Sequence, residues 1–289
     1  MKDLSGRVAV VTGAGTGMGR SIALSLAGEG VNVVVADIEK SHADSVRDEA
    51  AALGVDAISV ATDVSKLDQV QSLADAAYGR FGKVDILVNN AGVTLRPFRA
   101  VWDTAYEDFK WVIDVNIWGV IHGIHVFVPR MREQSGEKHI VNVSSMGTLV
   151  KVPGHSTYTL TKAAVNGFSD VIREELANDG FGVTILYPGY VMTRIATSER
   201  LRPEAEKSAN RNVTPYESYT KAEVGADGTP RSPVKIEDAG RMQHGLDPNE
   251  VGPMVVKAII EKRPYCLTHP APEVAIRKHS DELLNAYLG

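Results

Sequence analysis

Hydrophobic positions along the first two-thirds of the chain alternate between two patterns. Short runs rich in β-branched residues occupy 7–11, 32–36, 57–61, 86–88, 139–143 and 183–186. Between them, 17–26, 43–53 and 70–78 space their apolar residues at helical intervals, which turns one face of each toward a core. Strands alternating with helices predict βαβ crossovers and a parallel sheet covered on both faces. Val8-Ala9-Val10-Val11 and Val33-Val34-Val35 are apolar without alternation, as strands buried on both sides require. The predicted fold class is α/β, a doubly wound parallel sheet.

From 194 to 245 the pattern stops: 17 of these 52 residues are charged, four are proline and two are aromatic. Two readings fit that composition. One is a solvated excursion or linker; the other is a lid over a ligand site, because long insertions in compact α/β enzymes are often functional. Helical periodicity resumes over 248–261, Tyr265-Cys266-Leu267-Thr268 predicts a last strand, and 272–287 predicts a short terminal helix. With no repeat and no second core, the chain reads as one domain, 1–289, carrying 194–245 as an insertion.

Charge and composition narrow the function classes. With 36 acidic against 31 basic side chains, a net charge of −5 and a pI near 5.9, there is no basic footprint for nucleic acid or an anionic membrane. The lone Cys266 excludes a disulfide framework and reads as a core residue. The eight histidines do not cluster at ligand spacing, and the pair His122 and His125 lacks a carboxylate motif, so no metal is expected. Trp102, Trp111 and Trp118 read as helix-face packing or a subunit contact. No run of about eighteen apolar residues is present, and Met1-Lys2-Asp3-Leu4-Ser5-Gly6 lacks the apolar stretch of a secretory signal. The expected location is the cytoplasm.

Directly after the first strand stands Thr12-Gly13-Ala14-Gly15-Thr16-Gly17-Met18-Gly19. Glycines let the backbone turn sharply and approach a pyrophosphate, and the helix that follows presents unpaired N–H groups at its positive end. Such a turn also suits a tight βα connection; its place after the first strand favours a dinucleotide. Asp37 ends the second strand, eighteen residues past Gly19. A carboxylate there accepts hydrogen bonds from the adenosine ribose and repels the 2′-phosphate of NADP. Neither Thr16 nor Ile38 is a cation that could offset that repulsion, so NAD is the expected cofactor. An N-cap role for Asp37 is compatible with this reading. Further on come Asn89-Asn90-Ala91-Gly92, Ser144-Ser145, and Tyr158-Thr159-Leu160-Thr161-Lys162, the last opening thirteen residues after Ser145. Tyr158 and Lys162, four apart on a helix, share one face.

In these motifs and their order, over residues 5–193, the sequence resembles the short-chain dehydrogenase/reductase family in its short form. The resemblance implies a Rossmann fold and a catalytic set of Asn116, Ser145, Tyr158 and Lys162, with family spacing selecting Ser145 over Ser144. It implies cofactor contacts from the turn (Gly13, Gly15, Thr16, Gly17, Met18 and Gly19), from Asp37 and Ile38, and from Asp63 and Val64 at the adenine. Asn90, Ala91 and Gly92, the pair Tyr158 and Lys162, and Pro188, Gly189, Val191 and Thr193 near the nicotinamide complete that set. It also implies a homo-oligomer, commonly a tetramer, built through the helix over 106–132 and the one beginning at Tyr158. A weaker resemblance, carried by Ile195-Ala196-Thr197-Ser198-Glu199-Arg200-Leu201-Arg202-Pro203, by His244-Gly245-Leu246-Asp247-Pro248 and by Phe127-Val128-Pro129-Arg130-Met131, is to bacterial dehydrogenases that oxidise the benzylic alcohol of aryl ethers.

The chemistry needs these residue types. Oxidising a secondary alcohol requires a base for its hydroxyl proton beside the cofactor, and a tyrosine of pKa about 10 is too weakly ionised at neutral pH. An ammonium about 4.5 Å away, at an effective dielectric of about 20, stabilises a phenolate by roughly 3.5 kcal/mol, or about 2.5 pKa units. Lys162 is thus expected to bring Tyr158 toward working pH, Ser145 to hold the substrate oxygen, and Asn116, by resemblance, to position a water relaying protons to Lys162. The predicted function is hydride transfer between a secondary alcohol or ketone, hydrophobic or aromatic, and NAD. Alternatives are an NADP-dependent carbonyl reductase, an epimerase, dehydratase or halohydrin lyase on the same scaffold, and a silent regulatory protein. Extended-family epimerases carry a tighter glycine turn and halohydrin lyases an arginine in place of Lys162, while a silent protein would be expected to lose one of the four catalytic residues.

Overall fold

The computed structural model describes residues 1–150, 152–204, 207, 213–216, 223–224, 230–231 and 245–288. Seven parallel strands form one sheet in the order β3-β2-β1-β4-β5-β6-β9. They are β1 (Val8–Thr12), β2 (Asn32–Asp37), β3 (Ala57–Ala61), β4 (Ile86–Asn89), β5 (Lys138–Val143), β6 (Phe181–Tyr187) and β9 (Tyr265–Leu267). Two short strands, β7 (Glu223–Val224) and β8 (Pro230–Arg231), pair antiparallel apart from that sheet.

The sheet divides two apolar layers, as continuous runs of β-branched residues predict. Ala9 and Val11 of β1 and Val33 and Val35 of β2 point into one layer with α1 (Gly17–Gly28), α2 (Lys40–Ala52) and α7 (Val251–Ile260). Val10, Val34, Leu87 and Ile140 point into the other, against α3 (Leu67–Phe81), α5 (Gly119–Arg132) and α6 (Ser156–Glu175). Val8 through Val11 are all essentially inaccessible. Cys266 lies buried in β9, as its core reading expects. A terminal helix, α8 (Glu273–Leu288), follows.

The helix expected over 106–132 is present, but not uniform. α4 (Tyr106–Ile113) runs into a π turn, Asp114–Trp118, and then into α5. Its most apolar stretch averages a hydropathy of 1.4, long and apolar enough by composition to cross a membrane. That average was invisible to a search for unbroken apolar runs. The apolarity has a packing reason: Phe127 and Met131 sit in the core, and Asn116 is wholly buried.

Successive strands build outward in opposite directions from β1, so the strand order reverses between β1 and β4. Ligands of open α/β sheets bind in the crevice at that switch point, outside the carboxyl ends of the strands. Of the insertion over 194–245, a 3-10 segment at Arg194–Leu201 is described. The chain returns to pair Leu246 with Val191, so both ends of the excursion sit at the carboxyl end of β6. Most of the segment read as a lid lies outside the described residues.

Candidate active site

The glycine turn occupies the switch point. Gly13 and Gly17 both take positive φ, +61° and +58°, which a side chain resists. A Cβ on Gly19 would stand 2.1 Å from the Gly13 carbonyl and 2.5 Å from Asn90 Nδ2, so the turn closes only on glycine. Asn90 stitches the turn to β4: its Nδ2 donates to the carbonyls of Thr12 and Gly13 at 2.8 and 3.0 Å. Its backbone N–H and that of Ala91 donate to Thr12 Oγ1. Asn89 continues the stitch, donating at 2.8 Å to Asn142 on β5.

Asp37 is buried at the end of β2, accepting from the backbone N–H of Gly15 at 2.8 Å and of Glu39 at 2.9 Å. One bond to each oxygen leaves lone pairs on both, and the carboxylate lines a cleft of about 1530 Å³, its open mouth included. The cleft runs from Asp37, past the glycine turn, to Ser145, Tyr158 and Lys162. A glycine cradle, an open helix N-terminus and a buried acceptor at the ribose position fit a nicotinamide dinucleotide.

The cleft wall collects nearly every residue that the sequence picks out. Gly13, Thr16, Met18, Gly19, Asp37, Ile38, Asp63, Val64, Asn90, Ala91 and Gly92 line it, with Ser145, Tyr158, Lys162, Pro188, Gly189, Val191 and Thr193. Gly15, Gly17 and Asn116 stand behind the wall. Gly15 is turned to Asp37, and a Cβ on Gly17 would meet the Thr193 methyl at 3.1 Å.

At the far end, α6 presents Tyr158 and Lys162 to one spot, both buried. Tyr158 is hydrogen-bonded to Ser145; Ser145 Oγ also accepts from Gly147 N–H at 3.0 Å, which holds its rotamer. Lys162 Nζ donates to the Val143 carbonyl at 2.8 Å and lies 5.7 Å from the Tyr158 ring centre. A Cβ on Gly92 would come within 3.3 Å of both Lys162 Nζ and Asn116 Oδ1, so Gly92 gives these groups space. Asn116 Oδ1 accepts from Val93 N–H at 2.8 Å, while its Nδ2 donates to the Val93 carbonyl and to Thr161 Oγ1. This clamp, centred on the π turn, fixes the Asn116 side chain against Val93 and Thr161.

Proton affinities depart from the simple charge argument. Burial pushes Tyr158 up to about 12, with the Ser145 hydrogen bond and the Arg96 charge opposing. Burial pulls Lys162 down to about 8. The lysine therefore does not by itself make Tyr158 acidic: its Nζ is turned to Val143, and both side chains are buried at the cleft wall.

The opening of the insertion, one of whose two readings from the sequence is a lid, forms part of the wall, while the ion pairs that anchor it there carry no signal in the sequence. Arg194, Ile195, Ser198, Arg200, Leu201 and Pro203 all line the cleft. They are held there by ion pairs buried at the base of the insertion: Arg202 reaches Asp108 and Glu199, each at 2.7 Å, and lies 4.2 Å from the Trp111 ring. Arg99 also pairs with Asp108. Tertiary contacts alone join these residues, since nothing periodic marks them. His155, stacked on Tyr158, was also missed, and three residues before the tyrosine was its only signal. Among the tempting side chains set aside as structural, His122 bonds the Val64 carbonyl at 2.9 Å.

A doubly wound sheet with a glycine turn at its switch point and a Ser–Tyr–Lys cluster facing it, its Tyr and Lys buried, defines a Rossmann-type oxidoreductase. Residues 7–204 match the family model described as short chain dehydrogenase. A short chain dehydrogenase/reductase from Burkholderia phymatum, solved in complex with NAD, superposes with a TM-score of 0.85 at 36% identity, covering 99% of this chain and 97% of that one. The oxidoreductase SadH of Mycobacterium tuberculosis is 37% identical over 198 residues, 68% of this chain and 71% of its own length. A C alpha-dehydrogenase from a Sphingobium species is 29% identical over 288 residues, 99% of this chain and 88% of its own. The chain belongs to the short-chain dehydrogenase/reductase family and is an oxidoreductase of the alcohol dehydrogenase type that takes a nicotinamide cofactor and a small-molecule substrate.

Proposed function

We propose that this chain is an NAD-dependent dehydrogenase of hydrophobic or aromatic secondary alcohols, working reversibly with the ketones. The observation that carries the proposal is one cleft with the Asp37 carboxylate at its adenosine end and the Ser145–Tyr158–Lys162 cluster at the other. The relative solved with NAD supports the cofactor, and the full-length similarity to a C alpha-dehydrogenase supports a carbinol beside an aromatic ring.

The nicotinamide, when bound, supplies the hydride acceptor. The chain supplies the rest. Tyr158 takes the hydroxyl proton, Ser145 donates to the substrate oxygen as charge gathers there, and Lys162 holds positive charge beside Tyr158 and would help hold the nicotinamide ribose. Asn116 fixes the π turn against Val93, so a relay water toward Lys162 would rest on the backbone of that widened turn. The opening of the insertion walls the cleft through Ile195, Ser198 and Leu201, the part of the lid reading that falls on described residues.

Absorbance assays with NAD and NADP over a panel of benzylic, steroid and terpenoid secondary alcohols test the reading. Reduced cofactor should form with NAD and a benzylic alcohol. Preference for NADP would overturn the cofactor assignment, and turnover of aliphatic alcohols alone would overturn the substrate class.

A further inference from the structure

Three side chains stand in file above the candidate base. The Arg96 guanidinium lies 3.9 Å from the Phe98 ring centre, Phe98 lies 4.5 Å from His155, and His155 lies 4.5 Å from Tyr158 with the planes only 9° apart. His155 is the residue before α6, and its carbonyl accepts from Thr159 N–H at 3.0 Å. Its Nε2 lies 3.0 Å from Thr94 Oγ1, which stops the imidazole from turning in its own plane. The Thr94 N–H in turn meets Ser198 Oγ at 3.4 Å, on the cleft wall.

We propose that His155 is a positioning residue for Tyr158: a neutral imidazole clamped between Phe98 and the phenol, it fixes the ring so that the hydroxyl stays at Ser145 and water is kept off one ring face. The proposal rests on Tyr158 being the proton acceptor. A face-to-face stack leaves the phenol one rotamer, and reacting groups misplaced by about 1 Å can lose a hundredfold in rate. Thr94 explains why histidine rather than phenylalanine stands here, since only a ring nitrogen can be tethered.

Neutrality belongs to the device. Burial, then the Arg96 charge, pulls His155 down to about 4, so the ring stays uncharged wherever the enzyme would work. The groups facing the stack are Arg96 from the loop after β4, Lys162 from α6 and Ser145 from the end of β5. Tyr216 packs on Gly154 beside it, and Asp114 and Arg194 also line the cleft.

The test uses the full chain carrying His155→Ala, His155→Phe and Thr94→Val, each alone and combined with Tyr158→Phe. The difference in tyrosinate absorbance between each variant and its Tyr158→Phe partner reports the ionisation of Tyr158 without cofactor. His155→Ala admits water, so a Tyr158 signal should appear between about pH 9 and 11, where the unaltered chain shows none. With 1-phenylethanol and NAD, its kcat should fall about tenfold or more with KM for NAD nearly unchanged. His155→Phe keeps the stack but loses the tether to Thr94, as Thr94→Val does, so both should fall between the Ala variant and the unaltered chain in each readout. An Ala variant with unchanged kcat and no new tyrosinate signal overturns the proposal, as does a Phe variant as impaired as the Ala one. If Tyr158→Phe alone still turns over, the assignment of the base fails instead, and the tyrosinate signal continues to judge His155.

Discussion

At the scale of single residues, the site sets proton chemistry against stability. Tyr158→Phe removes only the proton acceptor. Turnover should drop by about 10²–10⁴, the usual worth of a positioned base, while NAD affinity by titration calorimetry stays nearly unchanged. Lys162 makes the opposite trade. Its pKa is lowered to about 8 by burial, so between pH 8 and its ordinary value the unfolded chain binds more protons than the folded one. The wild type therefore gains stability as pH rises through that window and carries a penalty below it of about 3 kcal/mol. Lys162→Met loses the bond to Val143, worth about 1 kcal/mol, and sheds the larger penalty. It should be inactive yet more stable at pH 7, with the advantage closing by about pH 10.5; melting curves of the two proteins across pH would show it, and a variant less stable at pH 7 would contradict it. Asp37→Ala should weaken NAD by about 1–3 kcal/mol, the scale of charge-assisted hydrogen bonds. Part of that comes from releasing the Gly15 and Glu39 amides, and NADP should gain little because no cation arrives.

At the scale of elements, the π turn and the glycine turn are the two joints that bring the ends of the cleft into register. Asn116→Ala strips three hydrogen bonds from a wholly buried position and leaves the Val93 backbone unpaired. Each unsatisfied group costs about 1–3 kcal/mol, so this variant should melt well below wild type and exchange the Val93 amide faster. Normal melting would mean that the clamp is dispensable. The glycine turn fails differently. Gly19→Ala places a methyl against the Gly13 carbonyl, and overpacking of this kind costs about 1–3 kcal/mol. Because the strain sits in the phosphate loop, calorimetry should show cofactor affinity lost before the fold is.

At the scale of the whole molecule, the cofactor joins elements from both halves of the sheet, so binding should stabilise the fold globally. NAD at about one hundred times its Kd adds about 2.7 kcal/mol, or about 5–10 °C in Tm for a chain of this size; equal NADP should shift it far less. Trp118, on the 106–132 helix, and Leu160 and Val171, on α6, are about half exposed, apolar surface that a partner subunit would cover. A homotetramer through these helices is the expected assembly, and a monomer in sedimentation at micromolar concentration would remove it.

The sequence by itself determined what short-range physics determines. β1 through β6 are legible to within a residue or two because each carries a short β-branched run, unbroken in β1, β2 and β4, where both faces are buried. The turn at Gly13–Gly19 was legible because only glycine tolerates its backbone, and Tyr158 and Lys162 because four residues on a helix return to one face. What tertiary structure alone decided has no period. Asn116 meets Val93, 23 residues away, and Arg202 meets Asp108, 94 residues away. The charged opening of the insertion thereby becomes a cleft wall rather than a solvated surface. The proton affinity of Tyr158 belongs here too. Its helix partner Lys162 pointed to a lowered value, but the sheet, the loop after β4 and the stacked His155 close water out and raise it. Burial is a sum over neighbours distant in sequence, and no local pattern of residues records that sum.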